Sequence, residues 1–515
     1  MVKKIDFRPI IAGLVLVGAF ATAITLNLDH TKTGNDQVIN SLNIDNGDLD
    51  INWERYQSLD IKLTESLKIS ESGTYHLTGT LENGSIAIDA GVSNVRLVLD
   101  NVTITNQSGP AISCYNADDL VIETIGKNTL SDGEEYDSVY DEDVTGVIYS
   151  KADLTFQGDG SLDITSNYQD AIVGKDDVKF NSGAYHITAK DDAIRGKDSV
   201  YIVNGNFVIE SGADVMKSTN EQDQGKGFIL VENGSFSLTS TTAKGLKATK
   251  NLLIYGGNFA INTYDDAIHS DNYVGIVDGT ININAGDDGI HANSELVIDG
   301  GSITIAKAYE GIEAQVITIN NGEVSLTTND DGINAGGGAD ESSKNRPGAD
   351  PFNADESCIL TINGGNIYVN SSGDGVDSNG WLYINGGTTI VDGPTNNGNG
   401  ALDAGMEIVM NGGDAFAIGS SGMAESLGAN SSVPNLSAYF NYIYPAGTTI
   451  EIKDSSDEII FSHTSAKSFS HLAAGTNNFG FGKTYTIYIN GEEFQQFTIS
   501  NITTTIGKTQ NSFKR

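Results

Sequence analysis

The chain has little with which to brace itself covalently. Two cysteines in 515 residues, Cys114 and Cys358, stand far apart in sequence, which excludes a disulfide scaffold; both read as small buried hydrophobes. Seven prolines against sixty glycines leave the turns to Gly, with Asn, Asp, Ser and Thr around it, and predict many short strands joined tightly. No stretch carries the 3.6-residue periodicity of a long amphipathic helix. Basic residues are scarce too. With 29 Lys and Arg against 68 Asp and Glu, the formal charge of −39 argues against nucleic acid and anionic membrane surfaces as partners. The hydrophobic fraction of 38% is still enough for a solenoid, which buries one small inward set of residues per coil.

The one long apolar run lies at the amino terminus. Lys3, Lys4 and Arg8 precede it, and Ala19, Ala21 and Ala23 stand near its end. Residues 1–28 read as a signal peptide or membrane anchor; no Cys follows, so a lipoprotein is not expected. An extracellular location, secreted or anchored at the cell surface, is the expectation. Membrane contact is confined to this segment, if it stays uncleaved.

What the chain has is a repeat. The phrases QDAIVGK (169–175), DDAIRGK (191–197), DDAIHS (265–270), DDGIHA (287–292), EGIEA (310–314), DDGINA (330–335) and DGVDS (374–378) return at steps of about 22 residues, with weaker copies at Asp214 and Lys244. A second phrase follows each, a β pair around Gly, as in IYGGNFAI (254–261) and IDGGSITI (298–305). Three short strands and three turns per period predict an all-β chain, a right-handed three-sided parallel β-helix. A β-sandwich of hairpins would show variable spacing instead. The predicted organisation is a polar linker at 29–60, the β-helix at 61–432, a small β module at 433–507 closing its end, and a tail at 508–515. The acidic stretch 131–143 and the Gly-rich stretch 336–357 break the register and are expected to protrude as loops.

Stacked coils place equivalent residues about 4.8 Å apart. Asp170, Asp191, Asp192, Asp265, Asp266, Asp287, Asp288, Glu310, Asp330 and Asp331 then form a carboxylate ladder whose neighbours repel by roughly 1 kcal/mol per pair even in water. A hard divalent cation would convert repulsion into attraction, and Ca2+ suits flexible sets of carboxylate and carbonyl oxygens. Asp as a turn residue explains one acid per corner but not doublets in register. The residue after each Ile forms a second column: Val173, Arg195, Lys217, Lys247, His269, His291, Glu313, Asn334 and Asp377. Its basic part, with Lys197 nearby, is suited to pair with uronate carboxylates; solvated cations balancing nearby Asp are the plainer alternative. Arg195, Lys197, Lys217, Lys247, Tyr264, His269 and His291 are the candidate glycan contacts, and Tyr168, Tyr309, Tyr368, Tyr383 and Trp381 offer further flat rings.

The phrases LDNVTITNQSGPAI, DDAIRGKDSVYI, DDGIHANSELVIDGGSITI, YEGIEAQVITINNGEVSL and NDDGINAGGG, in that order, resemble a bacterial carbohydrate-binding β-helix family over roughly residues 75–430. The resemblance implies a fold similar to polysaccharide lyases, calcium at the acidic turns, and extracellular binding of cellulose or acidic pectic glycans. Asp214-Val215 and Lys244-Gly245 depart from the acidic phrase, so calcium is not expected at those two coils. Two other functions compete with a non-catalytic binder. One is a calcium-dependent pectate lyase with Arg195 as base; the other is a structural adhesin or stalk.

Overall fold

The computed structural model describes residues 34–45, 51–336 and 354–507. The apolar run at 1–28, the tail 508–515 and most of the Gly-rich stretch lie outside the described residues. Among the described residues no helix is long and apolar enough to cross a membrane.

Inward apolar residues at period two, separated by Gly corners, build a parallel β-helix of about 15 turns with three faces. The first face holds strands such as Asp170–Gly174, Ile194–Gly196 and Met216–Ser218. The second holds Asp177–Phe180, Ser199–Ile202 and Phe228–Val231, and the third Ala184–Ala189, Asn206–Ser211 and Ser235–Ser240. All pair in parallel with the next coil. On the first face Ile172, Ile194, Met216, Leu246, Ile268, Ile290, Ile312, Ile333, Val376 and Leu402 stand in one register. The corner between second and third faces needs Gly: Gly301 has φ +86, and a Cβ there would lie 2.9 Å from Gly279 O.

The interior is a continuous apolar cluster in which side chains meet their equivalents one coil away. Phe207, Phe236 and Phe259 stack at ring separations of 5.1 and 4.3 Å, within 7° of parallel. Cys114 and Cys358 are both free thiols and both buried.

Three segments differ from a bare solenoid. Residues 34–44, read from composition as part of a polar linker, dock instead on the second face. Val38, Ile39, Leu42 and Ile44 pack against Tyr201, Phe228, Leu230, Leu253, Tyr273 and Val297. Asn35 is buried there, donating to Asp299 (2.8 Å) and accepting from the Tyr273 hydroxyl (2.8 Å). Four apolar residues among many polar ones do not announce a docking edge until the receiving face is known. The acidic loop after Lys127–Asp132 folds back rather than standing free: Tyr136 and Tyr140 pack on Val144, Tyr149 and Val173. At the other end, Phe469–Thr476 pairs antiparallel with both Asp414–Gly419 of the last coil and Asn435–Tyr444. A four-stranded antiparallel sheet packs over this junction, covering strand edges that would otherwise invite pairing with another chain. Across the seam, buried Asp392 accepts from Tyr368 (2.8 Å) and pairs with His463 (3.0 Å).

Phe236→Ala should cost about 3–5 kcal/mol, because it opens a cavity between two stacked rings that cannot close over it. Urea denaturation followed by circular dichroism measures that loss.

Candidate functional site

The acid ahead of each Ala-Ile or Gly-Ile sits at the corner entering the first face, and its side chain reaches the following coil. Oδ1 of Asp170 accepts the backbone N–H of Asp192 (3.1 Å), Asp192 that of Asp214 (3.0 Å), and Asp214 that of Lys244 (3.0 Å). Asp266 accepts from Asp288 N (2.9 Å) and Asp331 from Asp374 N (2.6 Å). The steps are 22, 22, 30, 22 and 43 residues, the longer ones carrying loops inserted within a coil. These five ladder carboxylates each bond the backbone of the next coil.

The second oxygen faces the column three residues on, and the register runs unbroken from Val173 through Arg195, Lys217, Lys247, His269, His291, Glu313, Asn334 and Asp377 to Asp403. In the early coils that column supplies cations. Arg195 donates to Asp170 (2.6 Å) and Thr145 (2.8 Å). Lys217 bridges Asp192 (3.4 Å) and Asp214 (2.9 Å). Lys244, standing in the ladder itself, reaches Asp265 (3.2 Å) and Asp266 (2.6 Å). The His269 and His291 rings stack at 5.0 Å, and their Nδ1 atoms lie 2.9 and 3.0 Å from Asp266 and Asp288. Burial pulls the His291 pKa down, but hydrogen bonds to Asp288 and Glu313 overcome it and raise it to about 11. Burial likewise pushes Asp266 up, yet His269 and Lys244 hold its carboxyl below the usual range.

Beyond His291 the column turns acidic. Carboxylate oxygens of Asp288, Glu310 and Glu313 lie within 4.8 Å of one another, and so do those of Asp331, Asp374 and Asp377. Burial, then Glu313 and Asp288, push Glu310 up to about 9. Asp331 is pushed well above the carboxylate range by burial, Asp374 and Glu310; Asp377 is raised by burial, Asp374 and Asp331. Between these groups stands Asn334. Its amide donates to Glu310 (3.1 Å), while its Oδ1 is buried with no hydrogen-bond donor among the described residues. An acceptor without a donor among raised carboxylates is an environment short of positive charge.

This rearranges the candidate ligand set. Asp170 and Asp192 have both oxygens engaged by protein donors. Asp191 is exposed; burial and Asp170 raise its pKa against the opposing pull of Lys217 and Arg195. Asp265, Asp266 and Asp287 do converge within 4.8 Å, although Lys244 already answers the first two. Asp330 lies half-buried beside Asp331, and both their Oδ1 atoms lie so near Gly373 that a Cβ there would meet them at 2.3–2.4 Å. The ligand set read from the sequence left out Glu313, Asp374 and Asp377, although Asp374 stands ahead of Gly375 in the repeat and the other two stand in the column. A further group, Asp153, Asp176 and Asp177, sits at the corner entering the second face; burial, Asp176 and Asp177 raise Asp153 to about 7. Its signal was the in-register series Asp119, Asp153, Asp177.

The candidate glycan contacts scatter. His269 and His291 are 2% and 0% exposed, so neither is displayed to a ligand: they stand outside the apolar interior but inside the carboxylate column. Arg195 and Lys217 are committed to ladder acids. Lys197 is exposed, 3.8 Å from Asp198; Lys247 is half-buried near Asp271; Tyr264 is 69% exposed at a corner. These do not form one surface.

The profile of the carbohydrate-binding domain-containing protein family matches residues 64–332, over half of the chain. The chain belongs to that family. A curated member from Acetivibrio thermocellus, also described as a carbohydrate-binding domain-containing protein, is 30% identical over 194 residues, covering 35% of this chain. The match spans 65% of that relative's length. A polysaccharide lyase-like protein from C. thermocellum, solved as a gadolinium derivative, aligns at 27% identity with a TM-score of 0.39, covering 47% of this chain and 96% of that one. The fold of this family member rests on its own strand pairings.

Arg195→Met should cost about 3 kcal/mol, because it strands Asp170, whose side chain is 3% exposed, without its cation. Lys197→Met should stay within about 0.5 kcal/mol. Parallel urea titrations of the two variants measure the difference.

Proposed function

We propose that the protein is an extracellular, non-catalytic binder of plant cell-wall or acidic polysaccharide whose later coils are held together by Ca2+. The observation that carries the calcium part is the buried, donorless Oδ1 of Asn334 among carboxylates pushed far above their usual range. Glu310, Glu313, Asn334, Asp331, Asp374 and Asp377 offer hard oxygen donors only, the chemistry that suits Ca2+. Bound there, the ion would supply the positive charge that Arg195, Lys217, Lys244 and the two histidines supply earlier. Family membership supports the glycan part. The non-catalytic reading draws on Arg195: a guanidinium held by Asp170 and Thr145 is poorly placed to serve as a base for uronate elimination. Export of the chain is supported by the basic-then-apolar amino terminus.

The pH dependence follows from Glu310. Its proton is held to about pH 9 in the folded protein but leaves near 4.5 in the unfolded chain. Between those values the folded state binds more protons, so stability in EDTA should fall as pH rises through that window. Calcium should abolish the fall and raise the melting temperature most at the alkaline end. Asp331→Asn should melt higher than the parent in EDTA, because one repelling charge is gone, and should gain less from calcium. Differential scanning calorimetry with and without calcium tests both; a melting curve indifferent to the ion sinks the metal reading. Sedimentation of the protein with insoluble cellulose and with calcium pectate gel tests the glycan reading, which fails if neither retains it.

A further inference from the structure

The apolar groove that receives residues 34–44 does not end where they end. Along the second face, Glu295, Val316, Ile359, Trp381 and Glu407 stand in one outward column, and Val297, Thr318, Thr361, Tyr383 and Val409 in the next. The docked segment covers the face as far as Tyr273 and Val297. Past it, Val316, Thr318, Ile359, Thr361, Trp381 and Tyr383 are half-buried, and none carries a charge. Trp381 and Tyr383 lie two residues apart on one strand, their rings 5.9 Å apart and 9° from parallel. Beside them, at the corner leaving this face, an amide ladder runs with the coils: Asn363 donates to Asn320 (2.8 Å), Asn385 to Asn363 (2.9 Å) and Asn411 to Asn385 (3.0 Å). Asn363, Asn385 and Asn411 are exposed.

We propose that this strip is a binding site for a neutral polysaccharide chain, with Trp381 and Tyr383 stacking on sugar rings and the Asn363–Asn385–Asn411 ladder bonding their hydroxyls. The proposal rests on the carbohydrate-binding reading and deepens it, since the strip lies mostly beyond the residues 64–332 that the family profile matches. Three observations select the occupant. The strip continues a groove in which the chain's own apolar segment already lies, so the face accepts a linear guest. Its chemistry is flat rings flanked by amides, which suits the apolar faces and hydroxyl edges of sugars. Among the described residues it offers no cation to a uronate, and a molecule of net charge −39 repels anionic chains unless an ion bridges them.

Affinity electrophoresis of the full chain in gels containing hydroxyethylcellulose, run in EDTA, tests this. The parent should be retarded. Trp381→Ala/Tyr383→Ala should lose roughly tenfold in affinity. Thr361→Glu, which places a charge in mid-strip without touching the core, should do the same and guards against misfolding of the double variant. Retardation of both variants equal to the parent overturns the strip and leaves the carbohydrate-binding reading standing. Retardation by polygalacturonate with calcium, but not by the neutral glucan, likewise overturns the strip alone. No retardation by either glycan sinks the reading beneath it. A parent that sediments as a dimer, with the double variant a monomer, overturns the strip in favour of self-association.

Discussion

Several coils of this protein are tied to the next by a carboxylate oxygen that accepts the backbone N–H one coil on. That bond satisfies a corner amide which the sheet ladder does not reach, and it sets the carboxylates of successive coils side by side. Parallel stacking keeps them there, since neighbouring strands have one spacing only. The geometry that aligns the backbone thus aligns like charges, and the rest of the first face is arranged around that repulsion.

The chain meets it in two ways. From Asp170 to Asp288 it spends Arg, Lys and His on neutralising the ladder from within, so the ion pairs are partly or wholly withdrawn from water. Pairs of this kind hold register more than they add stability, because the desolvation of both charges offsets much of their attraction. From Glu310 onward no column residue among the described ones is a cation, and the carboxyls of Glu310, Asp331 and Asp377 are all pushed upward. The change from one regime to the other occurs within a single stack: His291 sits between Asp288 and Glu313, and Asn334, the next column residue but one, has an oxygen to spare.

The second face shows a different economy of surface. Its outward residues are apolar over many coils, which a sheet facing water has no reason to be. Over the middle coils the chain covers them with its own residues 34–44, and at the carboxyl end an antiparallel module closes the last strand edges. Between the two, among the described residues, lie a ring pair and an amide row.

The coil period, the inward Ile and Val at alternate positions, the corner glycines and the order of the column from Arg195 to Asp377 were all legible in the residues, because a repeating solenoid writes its tertiary contacts as sequence periodicity. The same periodicity named the ladder acids. It could not say which of them were already answered, because Lys244 to Asp266 or Arg195 to Asp170 is a matter of side-chain reach across coils rather than of spacing. Nor could it place residues 34–44 against Tyr273, or His463 against Asp392, since those contacts join segments 238 and 71 residues apart that share no repeat. Local pattern determined the architecture, since each coil is built like its neighbour. Charge balance and coverage are properties of the whole stack, and only the folded chain decided them.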